Sequence, residues 1–184
     1  MTDLNSFKQK IETYALKASS QQNERDYQNA VRTIDLLTSV REPFGRDPNF
    51  SHITASAWVM NESRSALILT HHKKLDTWLQ VGGHCDGDPC PERVALKEAN
   101  EETGLKSIRQ MSTEPVDIDI HLVPANAKEP AHYHYDVRYI LLADENEPLG
   151  MSDESNDLRW VRFSELDLFT NRPSVLIARE KRGL

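Results

Sequence analysis

An α/β fold, arranged as an α/β/α sandwich on a mixed sheet with a helical extension at its N-terminus, is what this sequence predicts. Two observations carry the prediction. Strand-period and helix-period stretches alternate from about residue 50 onward, and two amphipathic helical stripes stand before them. The chain of 184 residues is long enough for a real core. Its patterning divides it into residues 1–42, the helical extension, and residues 43–184, the sheet-bearing unit.

In the extension, Phe7, Ile11, Tyr14 and Ala15 form one stripe, and Tyr27, Val31, Ile34 and Leu37 form a second. The polar break Ser19-Ser20-Gln21-Gln22-Asn23 separates them, and Pro43 ends the pair. Two readings are open for these helices: a pair packed on the sheet, or a dimer contact or lid. Strand character then runs from Ile53 to Met60 and from Ala66 to Leu69, with a turn at Asn61-Glu62-Ser63. Trp78 to Val81 leads directly into Gly82-Gly83. Val116, Ile118, Ile120 and Leu122 alternate with polar residues, as expected of a strand with one buried face. His132 to Leu142 and Leu158 to Val161 read as later strands, and Asn171-Arg172-Pro173 as the start of a terminal helix.

Composition excludes several function classes. The formal charge is −7 and the pI is about 5.5, and no basic stripe is present, so a nucleic-acid polymer is not the expected partner. Cys85 and Cys90 are the only cysteines and lie five residues apart, which argues against a disulfide framework and for a reducing, cytoplasmic setting. No apolar run approaches the length of a membrane span. A small molecule is the expected partner, with a homodimer as an open option.

The most informative stretch runs from Gly83 to Leu105, a glycine loop feeding a helix. Cys90 is the expected N-cap, Pro91 the first helical residue, and Gly104 the left-handed stop. Glu98, Glu101 and Glu102 fall at i, i+3 and i+4, so their carboxylates share a face near the negative end of the helix dipole. Like charges so placed cost about 0.2–0.5 kcal/mol per pair, and a hard divalent cation would reverse that sign.

With that spacing the stretch resembles the signature of the Nudix hydrolases. Gly83, Glu98, Ala99, Glu101, Glu102, Gly104 and Leu105 match in register, while Pro89 and Lys97 stand where the signature has Glu and Arg. The resemblance implies a Nudix-like α/β/α sandwich and a metal-dependent hydrolase that cleaves the diphosphate linkage of a nucleoside diphosphate joined to another moiety. It implies Mg²⁺ or Mn²⁺ held by Glu98, Glu101 and Glu102 with the Gly83 carbonyl. Glu98 is the expected catalytic base, with Glu154 as the alternative and Asp153 or Asp157 as substitutes for Glu154. Two other readings stay open: a non-catalytic nucleotide-binding module, and an enzyme similar to isopentenyl diphosphate isomerase, for which Cys85 falls on the wrong side of His84.

A second stretch, His132-Tyr-His134-Tyr-Asp136-Val-Arg138, sends its four polar residues to one strand face. Two imidazoles, a carboxylate and a guanidinium in a row suit a wet cleft, so His132, His134, Asp136 and Arg138 are candidate substrate contacts. Arg46 is a candidate phosphate contact, and Trp78 a candidate stacking surface for a base. A cluster of His84, His132 and His134 would suit a transition metal. His71 and His72 read as surface residues.

Overall fold

In a computed structural model, which describes residues 3–47, 49–153 and 155–183, the two N-terminal stripes form α1 (Asp3–Ser20) and α2 (Glu24–Ser39). The polar break ends at Asn23, whose side chain accepts a hydrogen bond from the Asp26 N–H and caps α2. Eight strands follow: β1 (His52–Asn61), β2 (Ala66–His72), β3 (Thr77–Leu79), β4 (Val81–His84), β5 (Arg109–Gln110), β6 (Asp117–Val123), β7 (His132–Ala143) and β8 (Ser155–Arg162). One long helix, α3 (Pro91–Thr103), lies between β4 and β5. The expected terminal helix is broken into α5 (Pro173–Leu176) and α6 (Ala178–Lys181), after a short α4 (Leu166–Phe169) that no periodicity announced.

The strands make one mixed sheet. β1 and β7 run parallel along its centre, from His52 opposite His134 to Asn61 opposite Ala143. The other pairings are antiparallel. On its second edge β1 is shared: β4 pairs with Thr54 to Ala57, and β2 meets it at Met60 opposite Leu67. A cleft lined by Thr54 and Ser56 of β1, Thr70 of β2 and Gly82 and Gly83 of β4 lies at that edge.

Period-two alternation then decides what each face does. Ile53, Ala55, Ala57 and Val59 of β1, with Val137 and Leu141 of β7, point to one face, where α1, α2 and α3 bury Phe7, Ile11, Ala30, Leu37, Val94 and Ala99 against them. The helical extension therefore shares the core of the sheet. The opposite face is divided. Trp58, Met60, Ile140 and Leu142 make an apolar half, covered by Phe163, Leu166, Val175 and Ala178 of the C-terminal segment. The other half is polar, because the pairings align His52, Thr54 and Ser56 with His134, Asp136 and Arg138, and those with His121, Asp119 and Asp117.

Between the two halves lies Arg138, 1% exposed. Its guanidinium donates to Asp117 at 2.7 Å and to Asp136 at 2.9 Å, and stands 3.2 Å from Asp119. Asp117 also receives Arg25 of α2 at 2.7 Å and Lys181 of α6 at 2.6 Å, and Lys181 reaches Asp26 and the Tyr14 hydroxyl. A buried charge is tolerated only when paired and hydrogen-bonded in this way. Burial alone would raise the Asp119 carboxyl, but His121 and Arg138 outweigh it and hold the group well below the usual range. Asp117 is lowered likewise, Arg138 and Arg25 overriding its burial.

Replacing Arg138 with Met leaves three carboxylates without their shared cation, and the expected cost is about 3–5 kcal/mol in a urea unfolding titration. Both aspartates have depressed native pKa values, so their contribution is complete above the unfolded value of about 3.9 and is lost as pH falls through the native values. The unfolding free energy of Asp117→Asn should accordingly fall less steeply with acid below about pH 4 than that of the parent chain.

Candidate active site

The helix that carries the acidic residues begins and ends where its punctuation places it. Pro91 is the first residue of α3, and the Cys90 carbonyl accepts from the Arg93 and Val94 N–H groups. The Cys90 side chain makes no cap bond; Asp88 organises the entry instead. Its carboxylate accepts from the Cys90 N–H at 2.9 Å and from the forked Arg93 guanidinium at 2.9 and 2.6 Å. This pair flanks Pro89, the position where the family signature has Glu. Gly104 closes the helix with φ 66°, and its missing side chain is also needed for space, since a Cβ there would lie 2.9 Å from the Gly150 Cα.

Val94, Ala95 and Ala99 of α3 are buried toward the sheet, and the glutamates take the remaining side. Glu102 Oε1 accepts from the Gly82 N–H at 2.8 Å. Glu98 lies over Gly83: a Cβ on that glycine would stand 2.7 Å from Glu98 Oε2. Lys97 donates to Glu98 Oε1 at 3.3 Å and lies 3.3 Å from Glu101 Oε2. Hydrogen bonds to Glu98 and Glu101 hold its ammonium above the usual range. Glu98 and Glu102 are thus brought together at the glycine strand, whereas Glu101, its side chain 58% exposed, stands at the rim with Lys97. The cradle left by Gly83 and an oxygen-only donor set from two carboxylates fit a hard divalent ion.

Gly82, Gly83, Glu98 and Glu102 line one cleft of about 430 Å³. Arg46, His72 and Lys74 bring basic groups to it. Its floor is Asp136, which accepts from Thr54 at 3.2 Å, from Ser56 at 2.7 Å and from Gln80 at 3.4 Å. His84, His121 and His134 line the cleft as well. Burial first, then Arg46 and His52, pushes His84 down to about 4. Burial and the neighbouring His84 and His52 push His134 down to about 2, so both rings are neutral near pH 7.

The candidate substrate residues separate in space. Arg46, His134 and Asp136 line the cleft. His132 is buried behind His134, with 3.3 Å between their Nε2 atoms. Arg138 shares their strand face but is fully enclosed, and its donors are taken by three aspartates, so the expected phosphate contact is not available to it. Trp78 packs edge-on against Phe169 at 5.3 Å and beside His71 at 5.1 Å, partly buried against the cluster of the apolar half-face, and it is not among the described residues that line the cleft. Glu154 lies outside the described residues. Cys85 is buried in the core, and burial raises its thiol, so it is not a reactive nucleophile of the kind an isomerase would need. Sequence reasoning missed His52 and Gln80, and His72, read as a surface residue, lines the cleft. The alternation His52-Ile-Thr54-Ala-Ser56 was the signal that the polar half-face extends onto β1.

The site thus consists of a strand, a glycine turn and a helix that presents two carboxylates to a cleft with basic groups. A family model described as NUDIX domain matches residues 50–179, and the chain belongs to the Nudix hydrolase family. A Lactococcus lactis protein described as a probable DHNTP pyrophosphohydrolase is 30% identical over 120 residues, which span 64% of this chain and 70% of that protein. The fold is similar to that of a Nudix-family hydrolase from Clostridium perfringens (TM-score 0.56, 24% identity, 72% of this chain and 96% of the other). It is also similar to that of the Escherichia coli dihydroneopterin triphosphate pyrophosphohydrolase (TM-score 0.55, 11% identity, 74% and 94% covered). No described helix is long and apolar enough to cross a membrane.

Gly83→Ala tests the cradle. The added methyl displaces the Glu98 carboxylate, and displacement of a reacting group by about 1 Å can cost about 100-fold in rate. The expected result is a clear loss of Mn²⁺ affinity in a calorimetric titration with little change in melting temperature.

Proposed function

We propose that this chain hydrolyses a diphosphate linkage in a small nucleotide derivative, with Mg²⁺ or Mn²⁺ as cofactor. The observation that carries this reading is the convergence of Glu98 and Glu102 on the Gly82-Gly83 backbone, in a cleft that also receives Arg46, His72 and Lys74. Glu98 and Glu102, with Glu101 at the rim and the Gly83 carbonyl, would hold the divalent ion. When bound, that ion supplies neutralisation of the phosphate oxygens and a lowered pKa for a bound water.

The chain's own groups do the rest. The Gly82 N–H fixes one oxygen of Glu102, so that carboxylate keeps its direction. Lys97 engages Glu98 Oε1, which leaves Oε2 beside Gly83 as the proton acceptor for an attacking water. Arg46 and Lys74 supply positive charge for the phosphate chain, and their exposure at the cleft lets them pair with the anion on entry. Asp136, saturated by Thr54, Ser56, Gln80 and Arg138, acts as a fixed floor. The relative from Lactococcus lactis supports dihydroneopterin triphosphate as the first substrate to try.

The test is a hydrolysis screen of the purified protein against nucleoside triphosphates, dihydroneopterin triphosphate, nucleotide sugars and dinucleoside polyphosphates, with Mg²⁺ or Mn²⁺. Turnover of at least one of these, reduced about 100-fold or more in Glu102→Gln and in Glu98→Gln, is the expected outcome. Tight metal-dependent binding of the same compounds without turnover would instead make this a nucleotide-binding module.

A further inference from the structure

The open end of the polar half-face gathers five histidines from four strands: His52 of β1, His84 of β4, His121 of β6, and His132 and His134 of β7. Register explains the gathering, since His134 is opposite His52 on one side and opposite His121 on the other. The rings are in contact. His52 lies 5.1 Å from His132 and 4.7 Å from His134 by ring centroids, and one ring nitrogen of each of these three residues lies within 4.8 Å of the others.

Two of the three are already oriented. His52 Nδ1 is 3.0 Å from the Phe50 carbonyl, and His132 Nδ1 is 3.0 Å from the Pro130 carbonyl. A carbonyl only accepts, so each Nδ1 carries the proton and each Nε2 of the neutral ring presents a lone pair. Carbonyl partners of this kind fix the tautomer and direction of imidazoles that ligate metals. His52 Nε2 is buried and has no hydrogen-bond partner among the described residues, though an orphaned buried polar atom ordinarily costs about 1–3 kcal/mol. The His132 and His134 Nε2 atoms, 3.3 Å apart, have the separation of two ligands on one tetrahedral ion whose metal–nitrogen bonds are about 2.0–2.1 Å.

We propose that His52, His132 and His134 form a second metal site, for a borderline transition ion of the Zn²⁺ class, separate from the carboxylate site. Three imidazole nitrogens and no carboxylate select such an ion over Mg²⁺, which prefers oxygen. Occupancy would satisfy the orphaned His52 nitrogen and tie the first residues of β1 and β7 together. Because His134 also lines the cleft, the bound ion would add a positive charge at the end of the cleft formed by Glu98 and Glu102.

The experiment uses the full chain stripped of metal by chelation, titrated with Co²⁺ or Zn²⁺ alone, and reads stoichiometry by elemental analysis and the ligand field by visible absorption. A Glu98→Gln/Glu102→Gln background removes the carboxylate site, so this test stands apart from any failure of hydrolysis. The expected result is one equivalent of Co²⁺ with an intense tetrahedral band, retained in that background and in excess Mg²⁺. The band should be lost in His52→Gln and in the half-buried His134→Gln, with circular dichroism confirming that each variant is folded. Zn²⁺ should also raise the melting temperature of the parent chain and leave that of His134→Gln unchanged. Absence of a band in the glutamate background, or an unchanged band in both histidine variants, would overturn the proposal and leave the cluster as a set of hydrogen-bonded rings.

Discussion

The constraint on which the rest of this structure depends is the pairing of the buried Arg138 with Asp117, Asp119 and Asp136. One guanidinium stands where the apolar and polar halves of a single sheet face meet, with the Trp58 ring 6.0 Å away and three carboxylates around it. Through Asp117 it holds α2 and α6 by way of Arg25 and Lys181. Through Asp136 it reaches Thr54 and Ser56 on β1 and Gln80 before β4. Such a network contributes little net stability relative to a well-packed apolar replacement, but a slipped register would leave charges buried and unpaired. Its effect is to fix β6, β7 and β1 against one another, and so to fix the cleft floor.

A second constraint is the close approach of backbone and carboxylate at the glycine strand. Gly82 has φ 154°, and a Cβ on it would lie 2.4 Å from the Ser56 Cβ, so only glycine lets β4 sit this tightly on β1. Gly83 leaves room for Glu98. The two departures from the family signature fall around this arrangement and are absorbed locally. Asp88 and Arg93 bridge the loop entry beside Pro89, and Lys97 lies along the helix with Glu98 and Glu101. An ammonium serves there because it holds two carboxylates as a point charge, with no need for a planar fork. It also offsets the like-charge strain on the exposed side of α3.

In this acidic protein the groups lining the cleft carry both signs of charge. The acidic groups lining the cleft are Asp86, Glu98, Glu102 and Asp136. Asp136 is neutralised by Arg138, and the two glutamates suit a divalent ion. Arg46, which stands 3.9 Å from the Asp86 carboxylate, lines the same cleft with His72 and Lys74. Net charge alone says nothing of this, because it sums over groups whose separation decides the local field.

Much of this molecule was legible in its sequence, because local rules determine it. Pro91 and Gly104 bound α3, i, i+3, i+4 spacing places the glutamates on one side, and period two sends His132, His134, Asp136 and Arg138 to a common face. Those are properties of a few neighbouring dihedrals and need no partner. What lay beyond the sequence is which residues of different strands become neighbours. The β1–β7 register brings His52 beside His134, and the β6–β7 register places Asp117 and Asp119 on Arg138, turning a candidate phosphate ligand into an internal tie. The packing of α4 and β3 carries Trp78 to Phe169. Pairing partners and burial depend on contacts tens of residues apart in the chain, and a one-residue slip in any strand would have reversed every such assignment. The sequence by itself therefore determined the elements, their faces and the acidic helix of the site. The tertiary structure decided which polar side chains face the cleft and which are spent holding it in place.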